Sequence, residues 1–519
     1  MMVGLKLGMI HRLAEMRLGA TVLARTELLE ERLAQLEARV KELKGTVEPE
    51  RSVALHDPYP AASTTSMRQV AMARVQEDFP TQISEMLVST FLRAASVLGF
   101  ALEPNRFKDH FLLPTRHPSR PHLALCCMVY TWAIRIHNTE DLKQFESLYL
   151  QRTISSLQNA SHGGHEVAHF HHFDILRLTL AEVLLAQYYN CLGHILRARY
   201  HTSAAVTFTY IHGLEGSRST GDAQRVSFDS GLSASRFRGL PLRGDLASTE
   251  RAHLFWAVFV LDTCWSAALK MPCLLSDNVE SGTQINTPWS IQTTACASGQ
   301  TVQRLFLGEG VLEGDDSFSV LRAKLSAIYG RAVDLAGRSH SESVKSEAQA
   351  VAQIVAAIVH NLQPLDQLHN VSDDVRLRLA VNHSIAHASM IHLYGALPQE
   401  ASVVSSQPVL SHAFEILAIL ELVDAAISRH LEDHAPIVPD PFLAVIGSAA
   451  GRVFTDSLLS TENTRGPHNH AFGAQQHALR ASINRLIDIL QNYAGSSNIF
   501  PVFAIHANEI KGYMQAKTS

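Results

Sequence analysis

The chain has no C-x2-C pair, although it carries six cysteines, Cys126, Cys127, Cys191, Cys264, Cys273 and Cys296. That absence argues against a structural zinc site built from cysteines, since such sites draw their thiolates from closely spaced pairs. Sparse cysteines in apolar runs read instead as free, buried thiols of a reducing compartment. The glycine loops that cradle phosphates, GxGxxG and GxxxxGK[ST], are missing, and so is the GxSxG elbow of serine hydrolases. A basic excess is missing too: the formal net charge is -5, so no global field favours nucleic acid, and any DNA-binding surface has to be local or lie outside this sequence. No apolar run approaches the roughly 18 residues that span a bilayer. The run 254–261 stops at Asp262, and Lys6, His11, Arg12 and Glu15 break any signal-peptide core. The expectation is a soluble intracellular protein with no membrane partner. Alternating strand patterns are scarce, and no fixed-period repeat is present.

What is present is helical periodicity. Apolar residues make up 46% of the 519 and charged residues 18%, which suits a sizeable core rather than a disordered tail. The length suggests about three units of ordinary size. From Thr81 onward, Ile83, Leu87, Phe91 and Ala94 or Ala95 share one helical face. Pro121 opens another helix in which Leu123, Cys126, Cys127, Tyr130 and Ile134 pack together. Further helices are predicted at 175–192, 197–214, 320–336, 346–361, 373–397, 409–430 and 475–493, with a helix starting at Glu250 between them. Residues 215–248, rich in Gly, Ser and Arg, read as a long exposed loop, and 291–318 as a second connection. The fold class is all-α.

The sharpest catalytic candidate is His165-Glu166-Val167-Ala168-His169, an H-E-x-x-H pattern. On a helix it would place two imidazoles one turn apart on zinc, with Glu166 activating water for a hydrolase. Four features oppose this. A chain with 28 histidines meets the pattern by chance alone about one time in ten, Gly163 and Gly164 precede it, and His172 and Ile175 stand where the metzincin extension needs Gly and His. Glu182, the fourth, is a distant third ligand. The cluster around it (His162, His165, His169, His171 and His172) reads as a solvated His-rich loop with no assigned role. Asp262 stands inside an apolar helix, where an unpaired charge is costly, so it needs an Arg or backbone donors; anchoring a ligand is the competing role. Trp256 and Trp265 read as core aromatics at helical spacing, with a small-effector pocket beside them as the alternative.

Near the N-terminus, Leu29, Leu36 and Leu43 recur every seven residues, with Leu33 and Val40 between them. Placed at d and a of a heptad, they form the seam of a parallel coiled coil. Arg25 with Glu30 and Arg32 with Glu37 are then opposite in sign across it, while Arg39 with Lys44 is not. Gly45 ends the helix. Three heptads are marginal alone, so a surface helix docked on the domain is the competing reading. The organisation that follows is a leader at 1–24, a dimerising coiled coil at 25–45, a Pro-rich linker at 46–80, a helical domain at 81–290, a linker at 291–318 and a helical C-terminal part at 319–519.

Several segments, in order, resemble the fungal-specific transcription factor domain, the middle homology region of zinc binuclear cluster regulators. Residues 25–44 (RTELLEERLAQLEARVKELK) are similar to the coiled coil that follows the family's DNA-binding cluster, and 52–60 (SVALHDPYP) to the linker motif after it. Residues 181–189 (AEVLLAQYY) and 200–206 (YHTSAAV) resemble the central helices of the region. Its hallmark end is matched by Glu250, Arg251, Trp256, Asp262, Trp265, Pro272, Pro288 and Trp289. The resemblance covers roughly 25–290 and implies a nuclear, dimeric regulator of RNA polymerase II transcription. It also implies a body contacting transcription machinery or a small effector, and no enzymatic activity. One departure stands out: the family's six cysteines, C-x2-C-x6-C and a similar second half, should precede the coiled coil, and residues 1–24 contain none. No zinc ligand is carried over. Zinc and DNA are expected only in a form that includes the cluster, or else the chain is a shortened relative that dimerises or senses a ligand without binding DNA.

Overall fold

In a computed structural model of the chain, the described residues are 79–278 apart from 163–171 and 215–244, then 283–289, 301–309, 311, 317–338, 341–364, 372–397, 407–431, 438–463, 470–495 and 499–518. They contain fifteen helices and no strand, so the all-α class holds for them. The helices are α1 (Thr81–Ala94), α2 (Pro104–Phe111), α3 (Leu123–His137), α4 (Glu140–His162), α5 (His172–Cys191), α6 (Ile195–Ile211), α7 (Asp245–Ala268) and α8 (Thr301–Phe306). They continue as α9 (Phe318–Gly337), α10 (Glu342–Asn361), α11 (Asp373–Ala396), α12 (Gln407–Leu431), α13 (Phe442–Asn463), α14 (His470–Ala494) and α15 (Pro501–Thr518).

Their starts are chemically marked. Pro104 opens α2 behind Glu103, whose carboxylate accepts from the amides of Asn105 and Arg106 at 3.0 and 2.7 Å. Ser317 and Ser341 cap α9 and α10, and Asp440 accepts from the Phe442 amide at 2.8 Å to start α13. Asn138 ends α3 in the left-handed region, its amide reaching back to the Ile134 carbonyl at 2.9 Å.

The odd-numbered helices α1, α3, α5, α7, α9, α11, α13 and α15 pack in succession, and the even-numbered ones lie against them. The face predicted on α1 is buried at Leu87, Phe91, Ala94 and Ala95, and the Ser84 hydroxyl meets the Tyr130 hydroxyl of α3 at 2.8 Å. Cys126, Cys127, Tyr130 and Ile134 are buried as their spacing predicts. Leu123 is not: it is 51% exposed, because it sits in the first turn of α3, ahead of the neighbours that cover the rest of the helix. The described residues all lie in one unit, Glu77–Ser519. Its last helix returns to α5, and the Arg135 guanidinium of α3 donates to the Ile499 carbonyl at 2.8 Å. Arg135 also holds Glu146 of α4 at 2.7 Å, and Tyr188 of α5 donates to the same carboxylate at 2.6 Å.

One stretch corrects the reading that no segment reaches spanning length. Residues Phe442–Thr461 of α13 have a mean hydropathy of 1.3 over 20 residues, and 61% of that window is buried inside the protein. The helix lies against α11, α12, α14 and α15. Its polar residues are matched by α15: Arg452 pairs with Glu509, and the Tyr513 hydroxyl donates to Asp456 at 2.8 Å. A Cβ at Gly451 would lie 2.8 Å from the Ile510 side chain, so the two helices touch through a position that has no side chain.

Candidate functional site

The residues of the hallmark segment converge on α7 and on the irregular chain that follows it. Asp262 is 0% exposed, and both its carboxylate oxygens are engaged. Oδ2 accepts from the Leu274 and Leu275 amides at 2.7 and 2.8 Å, and Oδ1 accepts from Arg199 of α6 at 2.8 Å and from the Ser266 hydroxyl at 3.1 Å. Arg199 also donates to the Pro272 carbonyl and to Ser266, each at 2.6 Å. The charge pair therefore closes the turn after α7 from both sides: Asp262 grips its amides and Arg199 its carbonyl. This is the partner arrangement that a carboxylate in an apolar helix demands.

The other hallmark residues do similar work on other backbone segments. Glu250 is buried, pairs with Arg106, and accepts from the Glu103 amide at 3.3 Å where α2 begins. Arg251 donates to the His212 carbonyl at 3.3 Å at the end of α6. Trp256 donates its indole N–H to the Pro288 carbonyl at 3.0 Å and stacks on Trp289, ring centroids 4.1 Å apart and planes 18° apart. The Thr287 hydroxyl donates to the Leu214 carbonyl at 2.8 Å. Lys324 of α9, fully buried, places its ammonium 5.8 Å from the Trp289 ring centre and donates to the Val311 carbonyl at 3.4 Å. Trp265 meets Phe442 edge-on at 5.8 Å. Both tryptophans predicted as core are core.

The electrostatics are those of a closed structure. Burial, reinforced by the Asp262 charge, pushes the Cys273 thiol up to about 11. Burial raises Asp277, while the Ile285 amide, donating to it at 2.9 Å, pulls the other way. Burial also holds the Cys264 thiol up at about 11, where its sulfur donates to Ser326 at 3.2 Å. With its oxygens already accepting four hydrogen bonds, Asp262 is placed as a structural clamp.

The zinc-hydrolase candidates His165, Glu166 and His169 lie outside the described residues. Their suggested third ligand is committed elsewhere: Glu182 is buried and meets His201 Nδ1 of α6 at 2.6 Å, with Tyr189 stacked on that imidazole. Among the described residues no group of three or more His, Cys, Asp or Glu side chains could hold a metal ion. The seam residues Leu29, Leu33, Leu36, Val40 and Leu43 also lie outside the described residues. The sequence reading missed Arg199 and Arg106. Arg199 directly precedes the 200–206 segment, and with Arg197 it is one of two arginines on an otherwise uncharged helix, the available signal for the partner Asp262 needs.

Comparison of the chain with models of protein families, with curated proteins and with solved structures finds no match.

Proposed function

We propose that this chain is a transcription regulator related to the zinc binuclear cluster family, with 81–290 as its fungal-specific transcription factor domain. The observation that carries the reading is the shared job of the hallmark residues. Glu250, Arg251, Trp256 and Asp262, spread along one helix, each bond the backbone of a different irregular segment. Their partners are scattered from Glu103 to Pro288, so the segment acts as the organising strut of a helical body rather than as a reaction centre. A regulatory scaffold needs such a strut, and the side chains gathered here are engaged with each other or with backbone. In this reading the chain is not an enzyme. It acts in the nucleus as a homodimer through Leu29, Leu33, Leu36, Val40 and Leu43, and contacts transcription machinery or a small effector. Cluster-bound zinc and direct DNA binding belong to a form carrying the six cysteines of the family.

Tethering tests it. The chain is fused to an unrelated DNA-binding domain and assayed on a reporter in a fungal host. A change in reporter output that is lost in Asp262→Ala supports the proposal, and an output equal to the unfused domain refutes it. A second reading is a regulator that dimerises or senses a ligand without touching DNA. Both readings leave the chain itself with weak DNA binding; tight binding with a steep salt slope requires many phosphate contacts and would refute that expectation, and the second reading with it.

A further inference from the structure

Helices α11 and α12 pack side by side and antiparallel: Asp373 at the start of α11 meets Arg429 near the end of α12 at 3.3 Å. Halfway along, the facing surfaces carry imidazoles. His383 and His387 stand one turn apart on α11, and His412 and Glu415 one turn apart on α12. Nδ1 of His387 lies 2.9 Å from Nδ1 of His412, and the ring centroids are 5.2 Å apart. Tyr394 stacks on the His412 ring and fixes its plane. The register puts His383 opposite Glu415; burial lowers the His383 pKa, and the Glu415 charge opposes that only in part. Nothing in the hallmark clamp uses this cluster.

Two imidazole nitrogens at this distance share a single proton, and only one of them can donate. A transition-metal ion is the other species that draws two imidazole nitrogens together. Around tetrahedral zinc, with Zn–N of about 2.0–2.1 Å, two ligand nitrogens stand about 3.3 Å apart. The pair need open by only about 0.4 Å to admit the ion. The pair supplies two ligands and no third is in place, in keeping with the lack of a three-residue group. Glu415 is exposed, on the same face as His412, and free to swing on a flexible stem. His383 is occupied, its Nε2 meeting the Gln363 carbonyl at 3.1 Å.

We propose that His387 and His412 bind a divalent transition-metal ion, zinc being the natural candidate, between α11 and α12, with Glu415 as the third ligand and water completing the shell. The ion takes the place of the shared proton, which shifts to Nε2 of the ring that carried it, and staples the two helices.

The test uses the full chain, stripped with chelator and titrated with zinc by calorimetry. Because residues 162–172 also carry imidazoles, a His165→Ala/His169→Ala variant is titrated in parallel. The expected result is that His387→Gln/His412→Gln binds one ion fewer than the parent and loses a zinc-dependent rise in Tm that His165→Ala/His169→Ala retains. Glu415→Gln, an exposed change that leaves the fold intact, weakens this site roughly tenfold or more. The proposal is overturned if the His387/His412 variant binds as many ions as the parent, or if the zinc-dependent rise disappears with His165 and His169. Should the His387/His412 variant fail to fold, unchanged zinc affinity in Glu415→Gln overturns it.

Discussion

Replacing Asp262 by Ala removes the anchor of the chain segment that follows α7. Arg199 would keep the Pro272 carbonyl and the Ser266 hydroxyl but lose its counter-charge. Breaking a buried ion pair from one side costs about 3–5 kcal/mol. The amides of Leu274 and Leu275 would lose their acceptor, at about 1–3 kcal/mol for each donor left buried without one. These terms belong to one network and do not simply add, so about 4–5 kcal/mol is the working figure. Against a typical total of about 5–15 kcal/mol, that approaches the limit of stability. The assay is amide hydrogen exchange of residues 271–289, read beside a urea titration followed by tryptophan fluorescence, since Trp256 and Trp289 stack within the affected region. A loss of only about 3 kcal/mol already speeds exchange more than 100-fold where the turn opens locally. The companion variant Arg199→Met/Asp262→Leu should recover part of the loss, because it leaves no unpaired charge. If Asp262→Ala changes stability by less than about 0.5 kcal/mol, the size of an inconsequential surface change, the clamp argument fails.

Acidification should loosen the C-terminal half. Burial lowers His387 and His392 to about 4 and also lowers His383 and His412. Their neutral forms therefore contribute stability that is complete above about 6.5 and lost as pH falls toward 4; a flat Tm across that window, or one unaltered by His392→Asn, would contradict this. Gly330→Ala should destabilise although alanine favours helix, because its Cβ would lie 2.7 Å from Thr263 Cγ2 on α7. Overpacking of that kind costs about 1–3 kcal/mol, and Thr263→Ser, which deletes that methyl, should restore the Tm of the double variant. Cys273 is the exposed residue among the described cysteines, although its sulfur is partly shielded and its thiol is pushed up to about 11. It should react first but slowly with a disulfide reagent at neutral pH, faster in Asp262→Ala; prompt labelling of Cys264 would instead mean that the core opens.

The legible part of this fold is the part written in local periodicity. The faces of α1 and α3 were readable because apolar residues recur at helical spacing, and the buried Asp262 announced a need for partners. The partners themselves were not readable. Arg199 is 63 residues away and Arg106 is 144 residues from Glu250, and separation in sequence carries no signal of contact. Helix α13 was missed: Gly447, Ser448 and Gly451 weaken its helical propensity, yet a Cβ at Gly451 would lie 2.8 Å from Ile510 of α15, so the position serves the contact between the two helices. Helix α4 was missed for the opposite reason: EDLKQFESLYLQRTISSLQNASH is largely polar, and only a narrow stripe with Tyr149, Thr153 and Leu157 is fully covered. Residues 215–248 read as a loop, but α7 begins at Asp245, within its last residues.

The hydrogen bond from Arg135 to the Ile499 carbonyl has a consequence for how the protein is made. Its partners are 364 residues apart. A ribosome adding about 5–20 residues per second needs about 20–70 s to cover that distance. For most of that interval the Arg135–Glu146–Tyr188 cluster and the surface of α5 that α15 covers stand open on the nascent chain. The early helices can form, but they wait for the last segment before this surface is sealed, and a chaperone has that long to occupy it.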